Sequence, residues 1–86
     1  MITTKTLKYV RQTINHPYVG LKILPLIGDF TGHARNVTKS MYNEDVITED
    51  ERDMLYGAIN EVERNESDIA LRSIIDTFKF YAGWSV

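Results

Sequence analysis

Cysteine is absent from these 86 residues, and disulfide frameworks, thiolate nucleophiles and sulfur-ligated zinc are excluded with it. Proline occurs twice and glycine five times, which rules out a collagen-like or low-complexity chain. Long apolar runs are missing too. The most hydrophobic stretch, Tyr18 to Ile27, contains Lys22 and Pro25 and falls well short of the roughly 20 residues of a membrane span. The opening Met-Ile-Thr-Thr-Lys has neither the charged flank nor the apolar segment of a secretory signal. Together these absences read as a cytoplasmic protein with no membrane partner, and the initial Met1 suggests a complete small gene product, although an excised domain would look alike.

What is present suits one helical domain over residues 1–86. Hydrophobic residues make up 43% and charged residues 26% of the chain, and a chain this short buries only about 60–65% of its surface, enough for one core. The net charge of −2 hides a two-sided distribution. Residues 1–41 carry Lys5, Lys8, Arg11, Lys22, Arg35 and Lys39 against Asp29 alone; residues 42–86 carry four arginines and lysines against eleven carboxylates. That asymmetry can be neutralised within the fold, between subunits or by a partner.

Apolar residues at helical spacing predict about four helices in a compact all-α bundle. Leu7, Val10 and Ile14 mark the first, which ends at His16 because Pro17 disfavours helical backbone before it; Pro17 in turn suits the first position of the next helix. Ile23, Ile27, Phe30, Ala34, Val37 and Met41 are spaced alternately by four and three, so a second helix is expected, kinked or broken near Pro25 and Gly28. A buried strand over Tyr18 to Ile27 is the rival reading. Thr48-Glu49-Asp50-Glu51 has the form of a capping box, ahead of an apolar stripe of Met54, Leu55, Ala58, Ile59 and Val62. A final stripe, Leu71, Ile74, Ile75, Phe78 and Ala82, lies half a turn out of phase with it. Two geometries satisfy that shift. A hairpin capped by Asn65 or Ser67 is favoured; a continuous helix, burying opposite faces in an oligomer, is the alternative.

Motifs that carry chemistry are sparse. Asp29 and His33 share a helix face as a potential acid/base pair, but a reaction centre also needs a pocket and a further partner. A metal needs three or four convergent ligands, and this pair supplies two. No metal or cofactor is therefore expected, and the chain reads as non-enzymatic. Gly28-Asp29-Phe30-Thr31-Gly32 lacks the lysine and hydroxyl of a phosphate loop, and its small residues read as packing.

Two surfaces remain as candidates. Phe78, Phe80, Tyr81 and Trp84 place four of the nine aromatics within seven residues, and Phe80 and Trp84 mark a different face from Phe78 and Ala82. Phe80, Tyr81 and Trp84 are accordingly the expected interface of a small binding or regulatory protein. Such a protein would self-associate through this aromatic face and engage a larger protein as adaptor or inhibitor. The alternative is a phosphate-bearing ligand, a nucleotide or short nucleic acid. Lys22, Arg35, Asn36, Lys39 and the basic first helix would hold its phosphates, and Tyr9 or Tyr18 would stack on a base.

Overall fold

Each helix begins and ends where local chemistry dictates. The computed structural model describes residues 2–83, and these form α1 (Thr4–Ile14), α2 (Pro17–Leu21), a 3-10 turn (Leu24–Leu26), α3 (Ile27–Asn43), α4 (Glu49–Asn65) and α5 (Asp68–Tyr81), with no strand among them. Thr3 caps α1 by accepting from the Thr6 amide, and Ser67 caps α5 by accepting from the Ala70 amide. The capping box is complete: Thr48 Oγ1 accepts from the Glu51 amide at 3.2 Å, and Glu51 Oε1 accepts from the Thr48 amide at 2.9 Å. Glu49, Asp50 and Glu51 also place negative charge at the positive end of the α4 dipole.

The expected break between Tyr18 and Met41 exists, but it falls before Gly28 rather than at it. α2 ends at Leu21, and Lys22 closes it in the left-handed conformation with φ 53°. In a continuous helix the Pro25 ring would strike the carbonyl four residues back, which belongs to Leu21, and this explains the position of the end. Gly28 then sits inside the first turn of α3, and the strand alternative is excluded because residues 17–21 and 24–26 are helical. The break also removes Ile23 from the predicted stripe. It is 42% exposed, whereas Phe30, Ala34, Val37 and Met41 are buried.

The second reversal confirms the hairpin. Glu66 adopts φ 53°, terminates α4 and lets Ser67 start α5 at once. No glycine is present at this turn, so a charged residue occupies a backbone conformation that glycine usually supplies.

α1 packs on α3, α3 on α4, α4 on α5, and α5 returns to α1. Four long helices thus close a ring around Val10, Ile14, Phe30, Val37, Met41, Ile59, Val62, Ile74 and Phe78. Four threonines are buried with them, and each hydroxyl has an acceptor: Thr13 donates to the Tyr9 carbonyl, Thr38 to the Ala34 carbonyl, Thr31 to Glu63 and Thr6 to Glu44. Met54 departs from expectation. The apolar pattern of α4 places it in the core stripe, but it lies one residue off the direction of Leu55, Ile59 and Val62 and is 74% exposed. No helix among the described residues is long and apolar enough to cross a membrane.

These positions separate packing from surface. Phe30→Ala, at a fully buried site, is expected to cost about 3–5 kcal/mol, and Met54→Ala less than about 0.5 kcal/mol, in urea unfolding monitored by circular dichroism.

Candidate functional site

The α4–α5 hairpin presents an apolar face to solvent. Residues spaced three and four apart along both helices line a groove of about 480 Å³: Glu51, Met54 and Ala58 from α4, with Ser73, Thr77 and Phe80 from α5. Met54 and Phe80 flank it at 74% and 69% exposure. Ile69 is 86% exposed and precedes Phe80 by eleven residues, so the two point within about 20° of one another, three turns apart. Phe78, two residues from Phe80, faces the core and is fully buried. The sequence distinction between the Phe78 face and the Phe80 face therefore has a structural basis.

Of the three expected interface residues, Phe80 is exposed, Tyr81 is half-buried and Trp84 lies outside the described residues. The Phe80 and Tyr81 rings meet edge-on, with centroids 5.1 Å apart. The Tyr81 hydroxyl donates to the Glu51 carboxylate. This bond, with burial, raises the tyrosine to about 12 and holds Glu51 below the usual carboxylate range. Glu51 thus completes the α4 cap with one oxygen and fixes the aromatic end of α5 with the other.

The residues of the phosphate-ligand alternative are dispersed by the fold. Tyr18 is buried against Phe30, with ring centroids 5.6 Å apart. Lys22 pairs with Asp68. Arg35 is held on α4 by Glu63 at 2.9 Å and by Asn60 at 2.8 Å. Tyr9, Asn36 and Lys39 stay exposed, and Tyr9 and Asn36 line a groove between α1 and α3 with Lys5 and Gln12. Lys39 is not part of that groove.

The fold also makes a constellation that the sequence did not announce. Asp29 and His33 lie one turn apart on α3 as expected, but His16 joins them from the head of α2. His16 Nε2 is 2.7 Å from Asp29 Oδ2, and His33 Nε2 is 3.6 Å from the same oxygen. The hydrogen bond from His16 holds Asp29 below the ordinary carboxylate range, and the nearby His33 acts in the same direction. His16 Nδ1 accepts from the Tyr18 amide at 3.1 Å, which caps α2 and assigns the proton of the neutral ring to Nε2. One imidazole therefore starts α2 and ties it to α3. His16 is separated from Asp29 by 13 residues and a helix break, so helical spacing could not reveal the meeting. The one available signal was that His16-Pro17 begins a helix, which puts a capping side chain at position 16.

No family model, curated protein or solved structure matches this chain.

Acid sensitivity follows from the pair that locks α3 to α4. Arg35 and Thr31 donate to Glu63 and lower its carboxyl from 4.5 to about 2. A lowered folded value means that the unfolded chain binds more protons, so this contribution is complete above the ordinary value and is lost as pH falls toward about 2. In urea midpoints measured across that range, Glu63→Gln is expected to lower stability near neutrality and to flatten the acid limb relative to the parent.

Proposed function

We propose that the protein is a non-enzymatic binding module that docks a basic amphipathic helix of a protein partner along its α4–α5 face, as an adaptor or inhibitor would. The observation that carries this is three large apolar side chains left in water on the hairpin: Met54 and Phe80 flank the groove, and Ile69 continues the Phe80 face of α5. Burying each of them would contribute about 1.5–3 kcal/mol of transfer free energy, before the costs of association. The span from Ile69 to Phe80 is about 16 Å, which matches three turns of a docked helix.

Charge selects the occupant. α4 carries six carboxylates against two arginines, while α5 is balanced with Asp68 and Asp76 against Arg72 and Lys79. Two copies meeting through this face would each bring the net negative charge of α4 into the interface. A cationic partner would be attracted instead. Self-association through the aromatic end is therefore the less favoured occupancy.

A labelled leucine/lysine amphipathic peptide is the probe, followed by fluorescence anisotropy. Saturable binding is expected, with Phe80→Ala weakening it about 5- to 30-fold, as truncation of an interface anchor does, and Lys8→Ala leaving it unchanged. Equal affinity for a scrambled peptide of the same charge, or for the Phe80→Ala variant, would reduce the interaction to nonspecific electrostatics and overturn the proposal. Light scattering on the free protein separates self-association from partner binding.

The α1 side supports the second reading. Lys5, Lys8 and Arg11 make no ion pair among the described residues, and Tyr9 beside them is 44% exposed. A phosphate-bearing ligand would bind there with an affinity that falls steeply with salt. Oligonucleotide binding that is indifferent to Lys8→Ala would exclude it.

A further inference from the structure

We propose that His16, Asp29 and His33 form a binding site for a divalent transition-metal ion, with Zn²⁺ the best match to the donor set. The chain has two histidines, and the fold brings both to one carboxylate oxygen. The three donor atoms lie within 4.8 Å of one another, the one such group among the described residues. Donors about 2.0–2.1 Å from a single zinc, at angles between octahedral and tetrahedral, are separated by about 2.9–3.4 Å. The two observed contacts to Asp29 Oδ2, 2.7 Å and 3.6 Å, bracket that interval, and the two imidazole nitrogens start within 4.8 Å of one another.

The platform is rigid where it needs to be. Asp29 and His33 project from successive turns of α3. The His16 side chain is only 9% exposed, and its ring is set edge-on to Phe30 with centroids 5.7 Å apart. Two imidazoles and one carboxylate suit zinc, cobalt, nickel or copper, whereas magnesium and calcium require oxygen donors throughout. Both histidines also line a groove of about 560 Å³ with Lys8, Arg11 and Gln12, which leaves room for water or an anionic ligand to complete the coordination.

Proton placement makes the proposal specific. In the metal-free state His16 carries its proton on Nε2 and uses Nδ1 to accept from the Tyr18 amide. Coordination through Nε2 moves that proton to Nδ1, where it faces the amide hydrogen, so loading the metal removes the cap of α2. The ring stays neutral throughout, and its tautomer is exchanged. Metal binding is thereby coupled to the first turn of α2.

Cobalt titration of the untagged chain tests this. One equivalent of Co²⁺ is expected to give visible d–d absorption that Zn²⁺ bleaches and Mg²⁺ does not. His33→Ala and Asp29→Asn alter exposed side chains, and each is expected to weaken binding at least tenfold with helicity retained. The Tyr18 amide resonance is expected to shift, and its exchange protection to fall, as the ion is added. Absence of saturable binding at millimolar cobalt, or an affinity unchanged in both variants, would overturn the proposal.

Discussion

The steric conflict between the Pro25 ring and the carbonyl of Leu21 determines how the rest of the chain can be arranged. An unbroken helix from Pro17 to Asn43 would be about 40 Å long, more than the 33 Å of the longest dimension of the folded chain. The break shortens the rod to the 17 residues of α3 and leaves α2 outside it, where Tyr18 meets Phe30. α1 can then lie against α3, and His16 can reach Asp29. Without that break the apolar stripes of α1 and α3 would be carried apart and the ring of four helices would not close. Proline acts here through what it prevents, since its missing amide and its bulk both fall where a continuous helix would need a donor and free space.

Polar contacts then hold the two electrically opposed halves together. Lys22 reaches Asp68, Arg35 reaches Glu63, and Glu44 accepts from the Thr3 amide at 2.9 Å and from the Thr6 hydroxyl at 2.5 Å. Each joins a residue of the basic half to one of the acidic half, and two of the six cations of the basic half are paired in this way. Uncompensated cations remain on α1 and uncompensated carboxylates on α4, which are not neighbours in the ring. The molecule therefore offers different chemistry on its two sides, an apolar groove beside carboxylates on one and a polar groove beside cations on the other.

His16 shows how economically a small fold can use a side chain. Its two ring nitrogens serve two helices: Nδ1 starts α2 and Nε2 secures it to α3 through Asp29. A group with both nitrogens committed to hydrogen bonds is sensitive to anything that redistributes its proton, because the two bonds demand one tautomer. Glu51 is used in a comparable way at the opposite face, where it caps α4 and anchors Tyr81. In both places a helix terminus and a candidate surface share one residue, so the fold and the surface are mechanically linked.

Helix number, the Thr48 cap, the termination at His16-Pro17 and the separation of Phe78 from Phe80 were legible in the sequence, and the cap of α5 was narrowed to Asn65 or Ser67. Those features depend on interactions within a few residues, which spacing and side-chain type report directly. The location of the central break was legible only in part, because glycine and proline both signal disruption and it took the geometry of the Leu21 carbonyl to decide which one acted. Met54 was misassigned for a related reason: apolar character indicates what a residue can bury, whereas the direction of its neighbours decides whether anything covers it. The convergence of His16 with Asp29 and His33, and the removal of Lys22 and Arg35 into ion pairs, belonged to tertiary structure alone. Residues 13 to 46 positions apart meet only after the chain has reversed, and the angles of those reversals are set by packing of the whole core rather than by any local pattern.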